Sequence, residues 1–217
     1  MSTLSELLAA HTDLPGGAVD HLQRLVSEWQ LLADISFADV LLWVPAAPPA
    51  RILCVAQCRP TTAPTVIPMD KVGAVVDDDE HPEVARCFDS GAVERSAGRP
   101  GVEEGEYVPV ADAVPVRVRG RVVGVLTRES APVSRRPPSL LEAAYRESAA
   151  EFGDMIAEGT FPTAAEPGDV NSSPRVGDGF IRLDTAGIVT YASPNAVSAY
   201  HRMGLTTDLA GHDRLQL

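Results

Sequence analysis

Apolar residues recur along the chain with two different periods, and the switches between them mark out its elements. From Ala18 to Ala33, Val19, Leu22, Val26, Trp29 and Ala33 fall at alternating steps of three and four, the spacing of one helical face. A short helix precedes this one, with Thr3 and Glu6 at capping-box spacing, and "LPGG" (14–17) separates the two. "ADVLLWV" (38–44) and "RILCVAQC" (51–58) read as strands joined by the proline-rich "PAAPPA". The Pro- and Thr-rich stretch 59–70 reads as a loop. In "HPEVARCFDSGAV" (81–93), Pro82 suits a first helical turn, Val84 and Phe88 are four apart, and Gly91 is a stop. "VPVRVRGRVVGVLT" then alternates apolar residues with Arg117, Arg119 and Arg121 around a turn at Gly120, which predicts a hairpin with the arginines on its wet side.

A long helix follows within 134–161, opened by a Ser139/Glu142 capping box and carrying Leu141, Tyr145, Ser148, Phe152 and Met155 on one face. Residues 160–179 are rich in Pro, Gly, Ser and Asp and read as a linker. Beyond them "FIRLD", the turn "DTAG" and "IVTYA" predict a second, small hairpin. Ser193 then caps a helix that opens on Pro194 and ends near Gly204. The expected organisation is a first unit over 1–160, a linker over 161–176 and a second unit over 177–217.

Charge and composition narrow the function. Eighteen Lys and Arg stand against 30 Asp and Glu, a net charge of −12, which disfavours nucleic acid and anionic membranes as partners. The acidic runs "DDDEHPE" (77–83) and "EEGE" (103–106) read as solvated loops. No uncharged stretch approaches the roughly 20 residues of a membrane span, and the acidic N-terminus does not suit a signal peptide. Three cysteines do not suggest a disulfide framework. A cytoplasmic protein is expected.

Two resemblances refine this reading. "AVPVRVRGRVVGVLTRE" (113–129), with amphipathic helices before and after the sheet, is similar to the late hairpin of a GAF domain. "GFIRLDTAGIVTYASPNAVSAYHRMG", with "LAG" at 209–211, resembles the first third of a PAS domain; the polar "HDRLQL" departs from that pattern, so this unit is expected to be cut short. Together with "EWQLLADISFADVLLWV" and "EGTFP", these segments resemble the sensor region of actinobacterial PdtaS-type two-component histidine kinases. The resemblance implies an α+β fold: a GAF domain with an antiparallel sheet flanked by helices, followed by a linker and a partial PAS domain. It further implies a small-molecule signal, a cyclic nucleotide among the candidates, and a response regulator engaged through a kinase transmitter. This chain shows no transmitter motif, so no catalytic activity is expected of it.

The candidate chemistry is sparse. Cys54 and Cys58, four apart on a predicted strand, are expected on one face with Cα atoms about 13 Å apart, unless a bulge or strand end near Arg59 shortens that distance. Cys54, Cys58 and Arg59 are therefore the candidate ligand or redox residues, responding to a ligand, metal or oxidant, against the plainer reading that the cysteines fill the core. His11, His21, His81, His201 and His212 show no carboxylate arranged as a partner. The helices 18–33 and 139–158 offer either a homodimer seam or a cover for the sheet. A GAF-fold thiol reductase and a stand-alone dimerisation protein are the alternatives. Residues after about 170 are expected to be mobile or to pack on a partner chain, since an unfinished sheet leaves Ile188 and Tyr191 under-covered.

Overall fold

A computed structural model describes residues 3–46, 51–96, 99–100, 107–131, 136–163 and 175–213. Both capping boxes form: Thr3 opens α1 (Leu4–His11) and Ser139 opens α4 (Leu140–Glu158), each hydroxyl accepting from a glutamate N–H that would otherwise be orphaned. Helix α2 (Gly16–Ser36) extends past both ends of the predicted segment and stops at Phe37, which takes a left-handed conformation. The central sheet is antiparallel, in the order β3 (Val75–Asp77), β2 (Arg51–Cys58), β1 (Asp39–Ala46), β8 (Arg121–Ser130), β7 (Val110–Val118), β4 (Glu94–Ser96). A two-residue pair, β5 (Arg99–Pro100) with β6 (Tyr107–Val108), lies outside it. Arg119 and Gly120, both at positive φ, make the β7–β8 turn that matches the twist of a hairpin. Helix α3 (Pro82–Ser90) starts on Pro82 and ends at a left-handed Gly91, as its sequence predicts.

The two faces of the sheet bury different clusters. Helices α1, α2 and α4 cover one face through Leu8, Leu22, Leu25, Leu32 and Ile156 against Leu42, Val44, Leu53 and Leu126. Leu41, Trp43, Ile52, Cys54 and Val125 point the other way, where α3 and the 59–71 loop close over them with Val84, Cys87 and Ile67. The apolar stripes of α2 and α4 are therefore spent largely inside the chain, against the sheet and against each other.

The C-terminal unit forms as its sequence predicts. β9 (Ile181–Leu183) and β10 (Val189–Ala192) pair, and Ser193 caps α5 (Pro194–Arg202). Asp184 Oδ1 accepts from the N–H groups of Ala186 and Ile188, both at 2.9 Å, and holds the turn. Gly179 sits at φ +124 with its backbone so close to α5 that a Cβ would stand 3.1 Å from Ala196 Cα.

The unit packs within its own chain, where the sequence points to a partner's surface; residues 171–174 lie outside the described residues. Residues 175–213 lie on α2 and α4 of the same chain: Phe180 and Tyr191 pack edge-on to Tyr145, with ring centroids 5.4 and 6.2 Å away. Arg182 pairs with Glu147 and Glu151 on α4. Tyr191 thus finds its cover in the helix pair, and Ile188 bridges to Asp213.

Candidate functional site

On the face opposite the long helices, a recess of about 360 Å³ opens between the sheet, the 59–71 loop and the start of α3. Leu41 and Trp43 of β1, Ala111 of β7 and Glu129 of β8 form its floor, and Val66 to Met69 form one wall. Glu80, His81, Pro82 and Glu83 form the opposite wall.

The wall built by the loop depends on two buried aspartates that the sequence reading passed over. Asp39, at the first position of β1, is 1% exposed. Its carboxylate accepts from Thr65 Oγ1 at 2.8 and 2.9 Å, from Val66 N–H at 2.6 Å and from Ile67 N–H at 3.1 Å. Asp34, near the end of α2, accepts from the N–H and hydroxyl of Thr61 at 2.7 and 2.9 Å, while its carbonyl accepts from Thr62 Oγ1 at 2.6 Å. Gln57 completes the pinning, donating to the carbonyls of Ile67 and Met69 and accepting from Lys71 N–H. A Thr-rich loop otherwise has many ways to move; these acceptors select one. Asp39→Ala orphans Val66 N–H and leaves Thr65 Oγ1 and Ile67 N–H only their weaker bonds to each other's residues; it should cost about 1–3 kcal/mol, against about half that for Asp39→Asn, which keeps one oxygen. Urea unfolding with hydrogen exchange at 65–67 checks this, and unchanged protection there in the Ala variant would contradict it.

The polar side of the recess corrects two sequence expectations. "DDDEHPE" is not wholly a solvated loop, because Glu83 is buried in the first turn of α3. His81 does have a carboxylate partner, its Nδ1 lying 3.3 Å from Glu83 Oε1. Burial pushes Glu83 upward, but the hydrogen bond with His81, a backbone N–H and the charges of His81 and Arg86 outweigh it and hold the carboxyl below its usual range. Glu129 goes the other way: burial raises it more than His81 and Thr127 lower it. Thr127 ties two floor residues together, accepting from Trp43 Nε1 at 3.1 Å and donating to Glu129 Oε1 at 3.3 Å. The Trp43 and His81 rings lie 4.6 Å apart, centroid to centroid. The run "EEGE" (103–106) lies outside the described residues.

The three residues singled out from sequence are not brought together. A bulge at Val55 shifts the β1–β2 register, so that Leu42 faces Ala56 but Trp43 faces Cys54. That one extra residue reverses the alternation, and Cys54 and Cys58 fall on opposite faces rather than one. Cys54 packs beneath the recess with Ile52 and Val125, while Cys58 sits among the helix-facing residues and donates to Gln30 Oε1 of α2 at 3.3 Å. Arg59 is exposed and donates to Pro68 O at 3.2 Å, bracing the loop from outside. Cys87 is buried with Cys54's cluster. Burial pushes all three thiols up to about 12. Among the described residues, no group of three or more His, Cys, Asp or Glu is placed to hold a metal ion.

Of the arginines expected on the wet side of the hairpin, Arg121 and Arg119 are exposed. Arg117 is half-buried and donates to Gly91 O and Gly120 O, tying the end of α3 to the sheet.

Comparison with known proteins agrees with this architecture. The profile of the family described as "Histidine kinase PdtaS, GAF domain" matches residues 4–149. The sensor histidine kinase PdtaS of Mycolicibacterium smegmatis is 51% identical over 98% of this chain, and that of Mycobacterium tuberculosis is 54% identical over 97%. The chain spans 43% and 42% of the lengths of these two relatives. A solved structure described as the sensor region of a sensor histidine kinase superposes over the whole chain with a TM-score of 0.81, at 52% identity and over 74% of that structure's length. With its antiparallel sheet, its helix-covered face and its recessed opposite face, the chain belongs to the GAF-domain family of the histidine kinase PdtaS.

Proposed function

We propose that this chain is the signal-input region of a cytoplasmic two-component sensor histidine kinase, that its recess binds a small-molecule signal, and that a response regulator is reached through a kinase transmitter. In this reading residues 1–160 are the GAF-like sensor, 161–176 the linker and 177–217 the N-terminal portion of a PAS domain. The observation that carries it is one continuous path of contacts. Val66 and Ile67 wall the recess, and the same loop is held at Thr61 and Thr62 by Asp34 of α2. One residue on, Ile35 packs with Tyr145 and Val176, and Tyr145 meets Phe180 and Tyr191. A ligand that favours one position of the loop would bias α2, and through Tyr145 the unit that follows. Among the described residues no helix is long and apolar enough to cross a membrane.

Dimerisation belongs to the same proposal, through surfaces of α2 and α4 not already spent on the sheet; Leu140, 87% exposed at the start of α4, is one such position. Sedimentation at low and high concentration tests it, and a strict monomer overturns it. The test of the input role is a recess-filling substitution, Ala111→Leu, in this region joined to a histidine-kinase transmitter. Autophosphorylation should shift threefold or more with the melting temperature nearly unchanged. An unaltered rate would refute the path from recess to transmitter.

A further inference from the structure

We infer that the recess selects a compact organic cation, one whose N–H donors meet Glu129 and Glu83 while its apolar body lies against Leu41, Trp43 and Ile67. This rests on the reading of the recess as a ligand site and goes further in naming the chemical class.

Three observations carry it. First, the floor holds an incompletely used acceptor. Glu129 is 5% exposed, its Oε1 is engaged by Thr127, and its other oxygen accepts no hydrogen bond from any described residue. A buried carboxyl with a spare acceptor facing an opening is matched by a donor, because leaving it unpaired costs its desolvation. Second, the charges around the recess are unequal. Among the described lining residues, Glu80, Glu83 and Glu129 stand against Lys71 at the loop side and His81, whose Nδ1 is already paired with Glu83. Third, the feature that could have received an anion is already occupied. The N-terminus of α3 opens onto the recess, but its first turn carries Glu83, whose own carboxyl takes a backbone N–H there and pairs with His81. A phosphate brought to this place would meet a carboxylate where it needs free donors, which argues against a cyclic nucleotide.

The groups facing Glu129 set how it responds. Asp39 of β1 lies directly across the ladder from it and, with Glu83, disfavours its ionisation; His81 and Thr127 favour it. A cation seated beside Glu129 supplies the compensation that burial removed and draws the carboxyl into its charged form. The volume of about 360 Å³ suits a small ring or a short chain bearing one ammonium or amidinium head.

A matched series separates charge from shape. Benzamidine, benzamide and benzoate share a ring and nearly a size, and carry positive, zero and negative charge. Titrated by calorimetry against the full 217-residue chain, benzamidine should bind at least tenfold more tightly than benzoate, with benzamide between. Glu129→Gln should reduce the benzamidine affinity tenfold or more, and Lys71→Gln, which removes the opposing charge without touching the floor, should raise it two- to threefold. Lys71→Gln keeps the test decisive if Glu129→Gln fails to fold. Tighter binding of benzoate or of cyclic AMP would overturn the cation assignment while leaving the recess a ligand site. Failure of all three ring compounds to bind also overturns it, and the Ala111→Leu kinase measurement then decides separately whether the recess is an input site.

Discussion

Replacing Trp43 with Ala should destabilise the protein by about 3–5 kcal/mol, the range for emptying a fully buried large aromatic site. Trp43 has no exposed surface and is the largest side chain buried to that extent. It stands on β1 between Cys54 and Val125, the residues opposite it on the two neighbouring strands, so the void would open in the centre of the sheet rather than at an edge. Three supports are lost together: the packing against Ile52, Cys54 and Val125, the ring contact with His81, and the hydrogen bond from Nε1 to Thr127. Trp43→Phe keeps most of the volume and the aromatic contact but removes the donor and the outer part of the indole, and should cost less, about 1–3 kcal/mol. Urea unfolding followed by far-UV circular dichroism measures both. An Ala variant within about 1.5 kcal/mol of the parent would mean that the recess floor can collapse onto the gap, and that Trp43 does not hold its shape.

The second large effect is kinetic. At pH 8, a thiol held at about 12 carries about a thousandfold less thiolate than an ordinary exposed cysteine, and the thiolate is the reactive form. Cys54, Cys58 and Cys87 are each buried, and each donates its S–H within the fold: Cys54 to Ala56 O, Cys58 to Gln30 Oε1, Cys87 to Ala113 O. Native protein should therefore react with an aromatic disulfide reagent about three orders of magnitude more slowly than the same protein in urea, with all three thiols appearing together on unfolding. Fast labelling of Cys54 or Cys58 alone in the native state would defeat this expectation and return weight to a redox or reductase role for that residue. Because the two lie on opposite faces of β2, such labelling would also say which side opened.

What was legible in the sequence was mostly local. Caps announce themselves because a hydroxyl and a carboxylate three residues apart satisfy one another within a single turn, as Ser139 and Glu142 do. The Arg119–Gly120 turn, the Pro82 start of α3 and the Asp184–Gly187 turn depend on backbone preferences that each residue carries with it. The candidate site was far less visible. Glu129 and Glu83 are 46 residues apart in the numbering, and nothing in the spacing of either says that a sheet and a helix will bring them to one recess. His81 beside Glu83 was open to notice, being two positions away, yet inside an acidic run it reads as part of a solvated surface. Asp34 and Asp39 were hidden for a similar reason, since a carboxylate is expected outside until the loop that needs it is known.

The sequence by itself determined the order of the main helices and strands, the capped helix starts, the hairpin turns and the family, because periodicity and capping act over a few residues and motif spacing is a property of the chain. It missed the short strands β3 and β4 and both ends of α2. Only the tertiary structure decided which side chains meet. One extra residue at Val55 turned Cys54 and Cys58 to opposite faces, since strand alternation has a period of two and a single insertion inverts everything beyond it. The docking of residues 175–213 on α2 and α4 was decided in the same way: Tyr145 reads as one more apolar position on a helix, and becomes a junction only when Phe180 and Tyr191 arrive against it. Contacts between distant segments depend on how whole elements pack, and that information is distributed over the core rather than written at the residues that finally touch.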